Sequence, residues 1–298
     1  MNFKSLQKGA AIVGAAEGEN AVLDLDSVTA IIAGFTEFLS KKTGIDFSRL
    51  RISVGRDPRP SSRGIKKAVI NQLLSQGIAV SDCDLCSTPA IFMTTVNDYC
   101  DGAVCITAGN EPREMNGFRF FTRDGAPGEK EISEILDFAA QFDASPYCER
   151  GELENEDYMA LYCHNLRNVI RDAADAEDHR HPLRGLRIAA VSPMDAAQFY
   201  NVHILRVLGA DTTPGDEDLY IEFDIEALSA RVRCPDGKMR DITDILNDVA
   251  VPTAASVTSP AISDGTYLVS KLVIKLALLH KNGEPLKNAF QYGDSSDM

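Results

Sequence analysis

Apolar residues recur at two different spacings along the first half of the chain. The run at 27–42, SVTAIIAGFTEFLSKK, has helical spacing, and Asp26 or Ser27 stands at its start as a helix N-cap. Short apolar runs typical of strands alternate with further helical runs: LRISVG, SSRGIKKAVINQLLSQG, IAVSDCDL, TPAIFMTTVNDY and GAVCIT. This alternation predicts a three-layer α/β domain around a mostly parallel sheet.

A polar, turn-rich stretch at 143–155, DASPYCERGELEN, predicts a domain boundary. We place a first domain at residues 1–150 and a second, shortened α/β unit at 151–251. The second unit has the helical runs EDYMALYCHNLRNVIRDAA and DAAQFYNVHILRVLGA and the strand-like runs LRIAAVS, DLYIEFDIE and ALSARVRC. Residues 252–298 contain one predicted helix, DGTYLVSKLVIKLALLHKNG, and a tail, AFQYGDSSDM, that we expect to be disordered.

The acidic composition narrows the range of partners. A formal net charge of −14 repels nucleic-acid phosphates and anionic membranes, so we expect neither as a partner. The chain has no apolar run of membrane-spanning length, no secretory signal in MNFKSLQKGA, and an odd number of cysteines, seven. We therefore expect a cytoplasmic protein with free thiols. For the pair Cys83 and Cys86, a CxxC, packing is favoured over a redox pair or half of a zinc site.

Two polar stretches follow predicted strands. In VGRDPRPSS, Arg56, Asp57 and Arg59 come directly after a strand. They could line an anion site or hold the strand-to-helix turn through charge-assisted hydrogen bonds, and we favour the turn. Asp224 and Glu226 lie two residues apart near a strand end, where they are either Mg²⁺ ligands or two exposed acids.

A loop at 107–112, TAGNEP, joins two predicted strands in the run DGAVCITAGNEPREMNGFRFF. A tight loop on a strand framework is typical of sites that present a nucleophile or a phosphate to a cleft. Gly109 and Asn110 at its tip cannot carry covalent chemistry, however. The earlier segment VGAAEGEN, with two spaced glycines, predicts a loop rather than a nucleotide cradle.

Taken together, VGRDPRPSSRGIKKAVINQLLSQGIAV, STPAIFMTTV, the loop run and GADTTPG resemble the phosphoglucomutase/phosphomannomutase (phosphohexomutase) family. The resemblance extends through the whole first domain, residues 5–145, and continues more loosely from Leu183 to residue 240. The run SDGTYLVSKLVIKLALL resembles the end of the family's third domain, so residues 252–298 are expected to be a remnant of that domain. It implies three-layer αβα phosphohexomutase-like domains with a mostly parallel mixed sheet, four of them around a cleft. It also implies transfer of a phosphoryl group between the 1- and 6-positions of a hexose, through a phosphoserine, with Mg²⁺ and a bisphosphate intermediate.

The family's phosphoserine loop, Thr-Ala-Ser-His-Asn-Pro, aligns with Thr107, Ala108, Gly109, Asn110 and Pro112, with residue 111 between the last two. The resemblance therefore implies that glycine replaces the phosphoserine and that no catalytic residue is intact. A glycine has no hydroxyl to accept a phosphoryl group.

Other family positions are also altered. The family lysine aligns with Arg119, which can bind phosphate but is a poor proton shuttle. Val13 stands where the family has an arginine, and the metal loop falls on Asp224, Glu226 and Leu228, followed by a serine. We therefore expect Mg²⁺ binding to be lost or weak. The sugar-recognition motif and the fourth domain have no counterpart in the sequence.

These departures favour a catalytically inactive protein of this family that acts in carbohydrate (hexose phosphate) metabolism. Its expected role is residual binding of a hexose phosphate or of a protein. Arg56, Arg59 and Arg119 are its anion-binding candidates. The alternative is an active intramolecular phosphotransferase that uses another acceptor, Thr107 or Thr122, or a partner subunit. Apolar surface that further domains cover in the family predicts homo- or hetero-oligomers.

Overall fold

A computed structural model describes residues 2–97, 100–143, 149–246, 258–259 and 261–290. The chain divides into two compact units, Met1–Met159 and Ala160–Met298. The boundaries predicted after residues 150 and 251 remain predictions, and the predicted disordered tail lies, from residue 291 onward, outside the described residues. No helix in the described ranges is both long and apolar enough to cross a membrane.

The first unit contains four complete helices and seven strands in its described residues. The helices are α1 (Leu25–Thr43), α2 (Ser62–Ser75), α3 (Thr88–Val96) and α4 (Glu129–Gln141). The strands are β1 (Gln7–Lys8), β2 (Ala11–Ala15), β3 (Arg51–Arg56), β4 (Ala79–Leu85), β5 (Gly102–Ile106), β6 (Met115–Thr122) and β7 (Leu153–Asn155). The alternation predicted from the sequence is confirmed.

The seven strands form one mixed sheet in the order β1-β2-β6-β5-β3-β4-β7. Neighbouring strands from β5 to β7 run parallel, whereas β1, β2 and β6 pair antiparallel. One face packs against α1, α2 and α4 through a core that includes Phe35 and Phe120, whose rings stack at 4.2 Å. The other face packs against α3, where Phe92 lies 5.3 Å from Phe121. The predicted three-layer αβα architecture is therefore confirmed for this unit.

One local prediction for this unit is wrong and a second is only partly right. Asp24, not Asp26 or Ser27, is the N-cap of α1, because its carboxylate accepts hydrogen bonds from the backbone nitrogen of Ser27 at 2.8 Å and from its hydroxyl at 2.6 Å. The segment VGAAEGEN at 13–20, predicted to be a loop, lies in β2 as far as Ala15 and is a loop only after it. That strand forms because it pairs with β6, a partner far along the chain.

The second unit is built around a four-stranded sheet in the order β11-β10-β9-β8. Its strands are β8 (Ile188–Val191), β9 (Leu219–Phe223), β10 (Ala230–Arg233) and β11 (Met239–Asp241). Its helices are α5 (Tyr158–Ala174), which begins at the end of the first unit, α6 (Ile242–Ile245) and α7 (Gly265–Asn282). The predicted last helix is confirmed as α7.

The helix predicted for DAAQFYNVHILRVLGA is only partly regular. Its regular part is a π-helical turn at Tyr200–Leu205. The Asn201 side chain accepts from the Ala190 backbone nitrogen at 3.0 Å and donates to the Ala190 carbonyl at 2.6 Å. The Asn201 side chain thereby bonds both backbone polar groups of Ala190 in strand β8. The spacing of apolar residues along the chain does not reveal this contact.

Candidate functional site

The loop at 107–112 follows the end of β5 and leads to β6, two neighbouring strands in the interior of the first sheet. The Thr107 nitrogen donates to the Gly117 carbonyl at 3.0 Å, and the Gly109 nitrogen donates to Thr107 Oγ1 at 3.0 Å. Gly109 has a φ of +58°, in the left-handed region. Glycine adopts this conformation at the least cost, so the residue suits the backbone of the loop.

Arg59 holds this loop from the inside. Its Nη1 donates to the Pro112 carbonyl at 2.7 Å, and its Nη2 donates to the carbonyls of Gly109 and, at 3.0 Å, Glu111. Its Nε donates to Asp57 Oδ2 at 2.9 Å, and its side chain is 0% exposed. With its donors directed inward and no exposed surface, Arg59 braces the loop rather than presenting a cation to a soluble anion.

Asp57 is the counterpart of this arginine. Its carboxylate also accepts from the Arg59 backbone nitrogen at 3.0 Å and from Ser62 Oγ at 2.6 Å, at the start of α2. These bonds join the end of β3, the start of α2 and the loop into one charged, almost wholly buried unit. The turn-holding role that the sequence favoured for these residues agrees with these contacts.

Asn116 and Gly117 fix the other side of the loop. The Asn116 side-chain nitrogen Nδ2 donates at 2.9 Å to the hydroxyls of Ser61 and Ser62. The side-chain oxygen Oδ1 of Asn116 accepts from the Gly117 backbone nitrogen at 2.8 Å. A Cβ at Gly117 would lie 2.0 Å from the Ile12 carbonyl oxygen, so only glycine fits beside β2. Sequence reasoning did not give these residues a role, because their partners lie on other elements.

Arg56 belongs to a separate ion-pair network at the end of β4. Its Nε lies 2.8 Å from Asp84 Oδ1, and its Nη1 donates to the Asp57 carbonyl at 3.3 Å. Lys66 Nζ contacts both Asp82, at 2.7 Å, and Asp84, at 2.8 Å. Burial opposes the ionisation of Asp84, but hydrogen bonds from Arg56 and Lys66 outweigh it and lower the pKa of Asp84 to about 2. The charge of Arg56 is thus matched within the protein.

Arg119 is the third anion-binding candidate. It lies in β6 opposite Cys105 and is half-buried. Strand alternation puts it on the same face as Phe121, which contacts α3. Arg119 also has an interaction within the protein, and it differs from Arg56 and Arg59 in being only half-buried.

The predicted metal loop lies between β9 and β10 in the second unit. Asp224 Oδ1 accepts from the backbone nitrogens of Glu226 at 2.9 Å and Leu228 at 3.0 Å. Asp224 Oδ2 accepts from the nitrogen of Ser229 at 2.8 Å and from its hydroxyl at 2.6 Å. The carboxylate is thus engaged by four donors of its own loop.

Further contacts close this loop against the start of α7. The Gly265 nitrogen donates to the Ala227 carbonyl at 2.9 Å, and Ser263 Oγ donates to the Leu228 carbonyl at 2.7 Å. Glu226 is buried, the Leu228 side chain has no oxygen, and the Leu228 carbonyl already accepts from Ser263. A hard cation needs several free oxygen ligands, so these residues do not fit Mg²⁺. Within the described ranges, no group of three or more His, Cys, Asp or Glu side chains could hold a metal ion.

The cysteines of the CxxC pair lie in the interior. Cys83 and Cys86 are 4% and 6% exposed. Burial, the largest effect, raises the pKa of the Cys83 thiol far above its usual range. A thiol held protonated is a poor nucleophile and metal ligand, which agrees with a packing role.

Part of the chain matches a model of a known protein family. Residues 7–144 match the family model "Phosphoglucomutase/phosphomannomutase, alpha/beta/alpha domain I". Residues 7–144 are thus a domain I of the phosphohexomutase family. The resemblance stated from the sequence is therefore confirmed, and the loop held by Arg59 lies inside the matched phosphohexomutase domain.

Individual relatives agree with this match. The chain is 38% identical over 122 residues to a phosphoglucomutase/phosphomannomutase of Thermococcus kodakarensis, which covers 40% of this chain and 27% of the relative. It is 30% identical over 188 residues to a phosphoglucosamine mutase of Nautilia profundicola, covering 61% of this chain and 40% of the relative. The chain thus spans well under two thirds of the length of these curated relatives.

A crystal structure of a phosphoglucomutase/phosphomannomutase family protein from Burkholderia thailandensis has the same fold. It superposes with a TM-score of 0.70 at 17% identity, covering 96% of this chain and 80% of that chain. At this identity the likeness concerns the fold alone.

Proposed function

We propose that this phosphohexomutase-family protein acts in hexose phosphate metabolism by binding, without phosphoryl transfer. The observation that carries the proposal is Gly109. It stands where the resemblance places the family's phosphoserine, and it has a backbone conformation suited to glycine, φ +58°. Covalent phosphoryl transfer at this position needs a nucleophilic side chain, which glycine lacks.

The contacts of the nearby hydroxyls support the same proposal. Thr107 is 1% exposed, and its hydroxyl accepts from the Gly109 nitrogen. Thr122 is 3% exposed, and its hydroxyl donates to the Gly125 carbonyl at 3.2 Å. Each alternative acceptor is therefore buried and held by its own turn, unlike a nucleophile that must reach a substrate.

The second unit adds independent support. Phosphoryl transfer in this family relies on Mg²⁺, and the Asp224 carboxylate is already engaged by its own loop. Metal, nucleophile and positioning groups act together in phosphoryl transfer, so the combined departures weigh more than either one.

The retained role is binding of a hexose phosphate or of a protein. Arg119 is the least buried of the three candidate cations, so phosphate binding at this loop would depend most on it. A thermal-shift titration with glucose and mannose phosphates tests this role. A rise in Tm that Arg119→Met removes would support a hexose phosphate, and no rise would favour a protein partner.

A coupled mutase assay tests the absence of turnover. The purified chain is incubated with glucose 1-phosphate or mannose 1-phosphate, Mg²⁺ and a hexose bisphosphate, beside an active phosphoglucomutase as control. We expect no product above the enzyme-free rate. Mg²⁺-dependent turnover that Arg119→Met abolishes would overturn the proposal.

A further inference from the structure

A cleft of about 300 Å³ opens in the first unit between α1, the end of α2 and the end of α4. Its floor includes Ala33 and Gln76, which are only 6% and 8% exposed. Phe47, Phe138 and Phe142 line it, and each ring is only partly buried. A concave site with aromatic walls and a few placed polar groups is the usual form of a small-molecule site.

The amide of Gln76 gives the floor its hydrogen-bonding character. Its nitrogen lies 3.0 Å and its oxygen 3.2 Å from Thr36 Oγ1, which also lies 2.9 Å from the Ala33 carbonyl oxygen. A hydroxyl has one hydrogen, whereas a primary amide has two N–H groups and two lone pairs on its oxygen. Among the residues that the structure describes, Thr36 is the one side chain that bonds this amide. Gln76 therefore keeps donor and acceptor capacity for a ligand.

The rim of the cleft carries one basic and two acidic side chains. Lys41 Nζ lies 3.0 Å from Glu37 Oε1 and 4.1 Å from the centre of the Phe138 ring. Lys41 is the only basic residue among those that line the cleft, and Asp143 adds a second acid. A phosphate would meet no surplus positive charge here. An uncharged ligand is the better match.

We propose that this cleft binds an uncharged, planar nitrogen heterocycle of about the size of one nucleobase. The ligand presents an adjacent donor and acceptor to the Gln76 amide. Glutamine amides in general make paired hydrogen bonds of this kind with base edges. Its ring packs against the phenylalanine side chains, which accept the flat face of any base. The site shares no residue with the loop at 107–112, so the inference is independent of the proposed function.

Ligand-observed NMR and calorimetric titration of the full chain with adenine, cytosine and nicotinamide test this proposal, with toluene as an apolar comparator. Gln76→Met removes the amide and keeps the side-chain volume. Gln72→Met is the matched control, because Gln72 is a buried glutamine one turn earlier on α2, 6% exposed, that does not line the cleft. A Tm measurement shows that both variants are folded.

We expect saturable binding of at least one heterocycle, weakened at least about tenfold by Gln76→Met and unchanged by Gln72→Met. Phe142→Ala provides a second test that leaves the floor intact, and it should weaken binding as well. The proposal is overturned if none of the three heterocycles saturates below about 10 mM. It is also overturned if toluene binds as tightly, or if folded Gln76→Met binds like the wild type.

Discussion

Arg59 Nε lies 2.9 Å from Asp57 Oδ2, and both side chains are almost wholly buried. The same guanidinium donates to the carbonyls of Gly109, Glu111 and Pro112. The shape of a loop in the matched phosphohexomutase domain is therefore set by one buried ion pair at the start of α2. In this chain that ion pair supports a loop with glycine at position 109.

Removing the guanidinium should destabilise the first unit strongly. Arg59→Met leaves Asp57 buried without its cation and three loop carbonyls without a donor, and breaking a buried pair from one side costs about 3 kcal/mol or more. Urea unfolding measures the loss. Arg63→Met is the control, since Arg63 is exposed on α2, and its effect should stay within about 0.5 kcal/mol. Equal effects of the two substitutions would contradict the bracing role of Arg59.

Two glycine substitutions should change stability in opposite directions. Gly109→Ala forces a left-handed conformation on a residue with a Cβ, so we expect a loss of about 1 kcal/mol in the free energy of unfolding. Gly64→Ala lies in α2, where a Cβ meets nothing within 4 Å, and should gain about 0.5–1 kcal/mol. Gly109→Ser should resemble Gly109→Ala and restore no turnover. A stabilised Gly109→Ala variant would contradict the left-handed conformation of residue 109.

The loop at Asp224 should be insensitive to divalent cations. Its carboxylate is held by four donors of its own loop, so the Tm should be the same in excess Mg²⁺ and in EDTA. Asp224→Ala should lower the free energy of unfolding by about 2 kcal/mol, because it leaves backbone donors without an acceptor. Hydrogen exchange should then quicken at Glu226, Leu228 and Ser229. A Tm that rises with Mg²⁺ in the wild type, and not in Asp224→Ala, would contradict this account.

The ion pairs of Asp84 predict a defined acid sensitivity. Its pKa of about 2 in the folded state lies below the ordinary value of 3.8, so the ionised carboxylate stabilises the fold above about pH 4. That contribution is lost as the pH falls from about 4 toward 2. Asp84→Asn should therefore lower the Tm near neutral pH, and its difference from the wild type should shrink below about pH 4.

Asn also suits the φ of +46° at residue 84, so this substitution isolates the charge. Asp46→Asn is the control, because Asp46 is exposed. A difference between wild type and Asp84→Asn that stays constant with pH would contradict the ion-pair contribution.

Local patterns predicted most of the first unit, because its helices and strands have regular apolar spacing. Strand β2 was missed, since the AIVGA run is short and its partner β6 lies far along the chain. The π-helical turn was missed because apolar spacing predicted an ordinary helix there and does not encode the contact of Asn201 with strand β8. In each case the deciding interaction is tertiary.

The same limit applies to the site. The sequence singled out Asp57, Arg59 and the loop at 107–112 separately, as polar residues after strands. It could not show that Arg59 donates to the loop carbonyls, because the two segments are brought together only by the parallel pairing of β3 with β5. The hydrogen bonds that occupy the Asp224 carboxylate likewise depend on the backbone path of its own loop.

We propose that no covalent phosphoenzyme forms on this chain. Incubation with a hexose 1,6-bisphosphate labelled on both phosphates, in the presence of Mg²⁺, tests it most directly, with an active phosphoglucomutase treated in parallel. We predict that the denatured, washed chain retains no label and that its intact mass is unchanged. Label retained on a single side chain, together with turnover in the mutase assay, would contradict the account.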